Sequence, residues 1–435
     1  MRPARFAAIA ALLVVTPLSA APGKPVAVRF WGQGLVTIET YWNLTVAIDP
    51  YALRIGYDDP EIDSDLVLVT HEHFDHNNVE LIGGTPSVIR GLDDAGRVSV
   101  VDVVLDRAPN SPRASLSAPT ETVARSAHPI RVRSIAAFHD DTGGSQRGQT
   151  ALFLIEVDGV RILHCGDLGQ KQLTPGQLDA IGTIDVLLIP VGGVFTIDGP
   201  QAAQITEQLR PRTVVPIHYK TEALSIELQT AEAFIEALPD RFSRVTAPGN
   251  TLAVTAGRGP SHDSPSVVVL STRPWAMPDE LADLFTAKEN AAGAAMEVFA
   301  RLSVDQMNHR PGNGTHTPRW NAEHMMGREL GFFTAIYAGL NSSIGPLDMN
   351  PAQMPDKYRA VHPDWTGAEE ARQIQRAQQL TRRFAYLLAE LDLDDTPEQS
   401  SWTLRGLFNQ IDGHYRAHTA NVRKKFELSD WPGGE

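Results

Sequence analysis

The sequence predicts an α+β chain: a two-sheet sandwich with helices outside it, followed by an all-α bundle of four helices. Two observations predict this. From Val26 to about Val254 the chain runs in short apolar stretches of strand length, punctuated by Gly, Pro and Asp. From Pro278 onward apolar residues recur at threes and fours, the spacing of amphipathic helices. At 435 residues the chain also exceeds one ordinary core, so two domains are expected.

Residues 1–20 read as a secretory leader. Arg2 and Arg5 give a positive start, "FAAIAALLVV" an apolar stretch, and "TPLSAA" small residues for cleavage near Ala20 or Ala21. The mature protein is therefore expected to be periplasmic or secreted. After leader removal no apolar run approaches the ~20 residues of a membrane span.

The first domain is expected over 24–258. Its strands include "VAVRFW", "LVTIET", "LTVAID", "DLVLVT", "ALFLIEV", "RILHC", "DVLLIPV" and "TVVPIH", rich in Val, Ile and Leu and bounded by turn residues. "PQAAQITEQL" and "TAEAFIEAL" read as helices. Strands with a few interspersed helices suggest two stacked sheets. A Gly/Pro/Ser-rich stretch opens a linker over 259–277. The bundle then occupies 278–430, with its later helices near 318–340, 367–391 and 401–427.

Composition narrows the function. Hydrophobic residues make up 42% and charged residues 21%, as in a globular protein. The net charge of −14, with no long basic run, argues against nucleic acid, whose binding rests on phosphate neutralisation. A small-molecule substrate is the expected partner, and a homo-oligomer stays open. The lone Cys165 has no partner for an internal disulfide and reads as a small buried residue.

Chemistry concentrates in "THEHFDH", directly after "DLVLVT". Residues two apart on an extended segment point the same way, so His71 and His73 can grip one ion. Asp75 and His76 lie past the turn and can face a second. Imidazole and carboxylate suit zinc, and also manganese or iron. Further ligands are available where later strands meet polar loops: His139, Asp167 and His218. His164, within a strand, and His128, on a loop, read as structural.

"THEHFDH" after a buried strand, then a lone His, then "HCGDLG", then "VPIHYK" resembles the metallo-β-lactamase superfamily. "DVLLIPVGGVFTIDGPQAA" followed by "PRTVVPIHYKT" is similar to the branch holding ascorbate-phosphate lactonases and the phospholipases that cleave N-acyl-phosphatidylethanolamine. The resemblance implies an αββα sandwich with the site at one edge of its sheets. It implies two divalent metals: His71, His73 and His139 on one, Asp75, His76 and His218 on the other, with Asp167 bridging. Asp75 and Asp167 would be the catalytic carboxylates. A metal-bound hydroxide would attack a lactone, an ester or amide, or a phosphodiester.

In the bundle, His414 and His418 are four apart and share a helix face, and His324 lies on another helix, with Thr317 as N-cap and Pro318 at its first position. Three histidines from two helices could close on one ion. This region resembles the DinB-like bundles, through "LSVDQMNHRP" ending the first helix, the seven-residue Thr-to-His spacing and the "HxxxH" of the fourth helix. That implies one further divalent metal on His324, His414 and His418. Trp320 stands about where those bundles carry an acidic residue. His309 and His316 lie in the preceding loop and are not expected to be ligands. Two other readings are a non-catalytic metal-binding scaffold and a thiol-dependent transferase in the bundle.

Overall fold

The computed structural model describes residues 23–119 and 128–433. The leader expected over 1–20 lies outside the described residues. The first domain is a sandwich of a six-stranded and a nine-stranded sheet. Strands Leu66–Val69, Val186–Pro190 and Thr213–Ile217 are buried throughout, as parallel strands covered on both faces require. Between the sheets lies one continuous aliphatic core, with Val28, Leu68, Ile155 and Leu188 all at 0% exposure.

This topology assembles the site. Strands Ile62–Val69, Ile130–Phe138, Val160–His164 and Thr213–Ile217 each deliver a loop carrying metal-grade side chains just beyond the strand's C-terminal end. Gly169 packs its loop against the backbone of His139, where a Cβ would come within 2.4 Å of the His139 carbonyl. Any side chain there would push two ligand loops apart.

The stretch expected as linker, 259–277, needs correction. Strand Ser266–Val269 joins the nine-stranded sheet, paired in parallel with Thr213–Val214 and with Ser243–Thr246. The sandwich therefore reaches about residue 270. Val267, Val268 and Val269 fill the place between Thr213–Ile217 and the outer strand Ser243–Thr246.

The bundle helices are Asp279–Phe299, Pro318–Leu340, Gly367–Arg383 and Leu404–Arg423. The first stops short of "LSVDQMNHRP", which was expected to end it. Ser303 instead caps a separate short helix, Val304–Asn308, through a capping box with Gln306. Thr317 caps the second long helix by accepting from the Trp320 amide, with Pro318 in its first turn. Lys288 crosses the bundle core fully buried, bonded to Glu329, Gln378 and Thr381. Tyr415 donates to the same Glu329 at 2.8 Å.

The two domains share packing. Ala27, Tyr41 and Ala253 belong to the bundle's apolar cluster. Arg383 reaches from its helix end to Glu39 at 2.9 Å and donates to the Thr40 carbonyl. No helix among the described residues is long and apolar enough to cross a membrane.

Candidate metal centres

Two polyhedra of ligand atoms meet at Asp167. In the first, His71 Nε2 lies 3.0 Å from His73 Nδ1, and His139 Nε2 lies 3.3 Å from that same Nδ1. Asp167 Oδ2 closes the figure, 3.6 Å from His71 Nε2 and 3.3 Å from His139 Nε2. A tetrahedral ion with ligands at about 2.0–2.1 Å sets its ligand atoms roughly 3.3 Å apart. These edges bracket that length.

In the second, Asp167 turns its other oxygen. Oδ1 lies 3.2 Å from His76 Nε2 and 3.3 Å from His218 Nε2, and Asp75 Oδ2 lies 3.5 and 3.8 Å from the same two nitrogens. One carboxylate thus offers one oxygen to each set. The seven residues expected from the sequence come together, in the two predicted groups.

The surroundings fit a cation. His76 Nε2, His218 Nε2 and Asp167 Oδ1 are buried with no hydrogen-bond partner, a costly state for polar atoms unless something else satisfies them. Burial alone would raise the Asp167 carboxyl, yet His218 and His76 outweigh it and hold it well below the usual carboxylate range. Burial would lower the His76 imidazole, but Asp167 and Asp49 hold it well above its ordinary value. His218 is pushed up to about 9, desolvation being outweighed by Asp167. Buried carboxylates here demand positive charge, supplied by protons or by metal ions.

Outer partners orient the rings, and most were not visible in the sequence. Asp49, fully buried, accepts from the Thr70 amide and hydroxyl at 2.7 Å and lies 3.0 Å from His76 Nδ1. His71 Nδ1 lies 3.0 Å from the Thr70 hydroxyl. Both rings therefore keep Nε2 for the site. Gln33 donates its side-chain amide to Asp75 Oδ2 at 2.8 Å, and its carbonyl accepts the His218 amide. Gln33 sits in a left-handed turn at φ 51°, beside Gly34, whose missing Cβ leaves room for the His76 ring. The flanking glycines in "WGQG" were the one available signal. His164, read as structural, bonds the Gly34 carbonyl and the Gly166 amide.

Access is from one side. His71, His76, His139, Asp167 and His218 are at most 2% exposed, whereas His73 and Phe74 are exposed. A cavity of about 250 Å³ opens beside His139, bounded by Arg147, Lys171 and Phe195. A larger crevice, about 940 Å³, runs between sandwich and bundle. Within it Glu39 pairs with Arg29 and Arg383, and Asp65 with Arg107, and none of the candidate ligand residues line it.

The bundle brings His324, His414 and His418 together as a third set, with ring centroids 4.4–4.9 Å apart. Asn350 Oδ1 lies 2.7 Å from His324 Nδ1 and Asn321 Oδ1 lies 2.8 Å from His418 Nδ1, so both rings turn Nε2 inward. This cluster contains no carboxylate. Burial and neighbouring imidazoles push His414 down to about 4 and His418 down to about 3, leaving neutral lone pairs at pH 7. Trp320 stacks on His324 on one side and on His316 on the other. Neither His316 nor His309 joins a ligand cluster among the described residues.

Fold and ligand geometry together define a metal-dependent hydrolase, and the chain belongs to the metallo-β-lactamase superfamily: residues 27–218 match the β-lactamase superfamily domain. Residues 289–422 match the DinB superfamily. The first domain is 30% identical over 203 residues to a UPF0173 metal-dependent hydrolase of Thermococcus onnurineus, covering 45% of this chain and 85% of that protein. It is 32% identical over 246 residues to another from Cupriavidus taiwanensis, covering 47% of this chain and 79% of the relative. A solved metallo-β-lactamase superfamily structure from Thermotoga maritima aligns with a TM-score of 0.40 and 25% identity, over 57% of this chain and all of that one.

Proposed function

We propose that the chain is an exported hydrolase that uses two divalent ions, zinc by its nitrogen-rich ligands, to cleave a lactone, an ester or amide, or a phosphodiester. The division of the Asp167 oxygens between two sets of histidines carries this reading. Two ions so held would polarise the electrophile and bring the pKa of a shared water near neutrality.

The chain's own residues supply position and charge. Asp167 holds the two sets in register through its two oxygens, and Asp49 and Thr70 fix the tautomers of His76 and His71. Asp75, the second carboxylate, keeps Oδ2 aimed between His76 and His218 because Gln33 donates to it. Asp75 and Asp167, read as the catalytic carboxylates, would act by holding the ions that activate the attacking water. The exposed side at His73 admits a small molecule, while the buried side keeps solvent from the histidines. No protein nucleophile is required, and burial raises the Cys165 thiol far above the range of a reactive one.

The three neutral histidines of the bundle support a third divalent ion there. The leader sequence supports export, periplasmic or secreted. The test is a panel of lactones, carboxylic esters, amides and phosphodiesters offered to zinc-loaded protein. Hydrolysis of one class, lost in His71→Ala and Asp167→Ala, is expected. Full metal loading with no hydrolysis in any class would refute the reading.

A further inference from the structure

We propose that the substrate carries an anionic group, carboxylate or phosphate, and that Arg147 receives it beside the first metal set. This rests on the hydrolase reading above. The cavity next to His139 is lined by several charges, and all but one have an ionic partner or cap backbone amides. Lys171 pairs with Asp141. Asp198 caps the helix Gly199–Leu209. Asp140 accepts the amides of Thr142, Gly144, Gln146 and Arg147 at 2.7–2.9 Å, together with the Thr142 hydroxyl. Arg147 alone among them has neither an ionic partner nor a capping role within the described residues.

Its placement is built. The Asp140 carboxylate, one residue after His139, ties down the loop 140–147 by four backbone donors, including the amide of Arg147 itself. Among the described residues the guanidinium donates to the Val194 carbonyl at 3.3 Å and lies over the Phe195 ring at 5.8 Å. Val194 is β-branched yet sits at φ 34°, a conformation that surrounding structure must impose. Val194 and Phe195 are 56% and 41% exposed, an apolar wall left uncovered at the mouth of a hydrolytic site. A guanidinium held at one end by a carbonyl keeps its remaining N–H groups for a planar or tetrahedral oxyanion. The matching substrate has an apolar stretch against Phe195 and an anionic end at Arg147. Where that substrate is an ester or lactone, hydrolysis adds water across its acyl–oxygen bond, giving acid and alcohol, and leaves the anionic end unchanged.

The experiment compares three 4-nitrophenyl esters on zinc-loaded protein: hydrogen succinate, 3-phosphonopropanoate and butanoate, the neutral match. Wild type is expected to favour one or both anionic esters in kcat/KM. Arg147→Ala should reduce the anionic-to-neutral ratio about 10- to 100-fold, mainly through KM, with Arg147→Lys in between. The larger loss identifies carboxylate or phosphate as the preferred group. Equal metal content in all variants excludes a folding defect. An unchanged ratio in Arg147→Ala overturns the proposal. If wild type hydrolyses none of the three, the site is read by calorimetry with succinate and inorganic phosphate. Binding lost in Arg147→Ala then supports the subsite independently of the reaction, and binding that is absent, or equal in both proteins, overturns it.

Discussion

The Gln33 side-chain amide lies 2.8 Å from Asp75 Oδ2, the oxygen that faces His76 and His218. A neutral, fully buried glutamine thus fixes the direction of a carboxylate in the second metal set. Gln33→Ala should weaken one of the two sandwich metals by about 10- to 100-fold, as loss of an outer partner typically does. Competition with a chromophoric chelator reads this directly. Two unchanged affinities would reduce Gln33 to a turn residue.

Protons and metal ions should compete in the sandwich sites but not in the bundle site. His218, raised to about 9, is protonated at pH 7.5 in metal-free protein, and Asp167 and Asp49 raise its neighbour His76 as well. Zinc loading at that pH should release protons, which indicator dye in weak buffer will show. Loading of the bundle histidines, already neutral, should release none. The sign for stability follows. A raised histidine stabilises the metal-free fold fully below about pH 6.5, and that stability is lost as pH rises through about 9. The Tm of metal-free protein should fall across that window.

Trp320 lies between His316, at a centroid distance of 3.5 Å, and His324, at 4.4 Å. Cobalt or nickel bound by His324, His414 and His418 should quench its emission. The quenching should vanish in His414→Ala and in Trp320→Phe, while the sandwich metals stay. Quenching that persists in His414→Ala would place the ion elsewhere.

Lys288 and Glu329 form a fully buried pair in the bundle. Lys288→Met strands the Glu329 charge and should cost about 3–5 kcal/mol, seen as a lower denaturation midpoint. Replacing both by apolar residues of similar volume should recover most of that loss. Equal destabilisation in single and double variants would mean that packing, not charge, dominates.

What the sequence made legible follows from locality. Candidate ligand side chains announce themselves because each sits where a buried strand meets a polar loop, so His71, His73, Asp75, His76, His139, Asp167 and His218 were readable. Their outer partners were not. Asp49 and Gln33 act across 27 and 42 residues of chain, through turns whose purpose appears only when His76 and His218 arrive beside them. Arg147 carries no signal in the sequence, because its placement depends on Asp140 gathering the loop around it. The strand Ser266–Val269 was hidden for a similar reason: its partners lie in Ser243–Thr246 and Thr213–Val214, and a Gly/Pro/Ser-rich approach disguised it as linker. Helix patterns, being local, were readable in type, but the break after Phe299 needed the Ser303 capping box to show.

The most direct test is the zinc content of Asp167→Ala beside that of wild type, at equal protein and free zinc. If Asp167 gives one oxygen to each set, both sandwich ions should weaken together and their bound equivalents fall from about two toward zero, with the bundle ion unaffected. Retention of either sandwich ion at wild-type affinity would contradict a shared carboxylate, and with it the dinuclear centre.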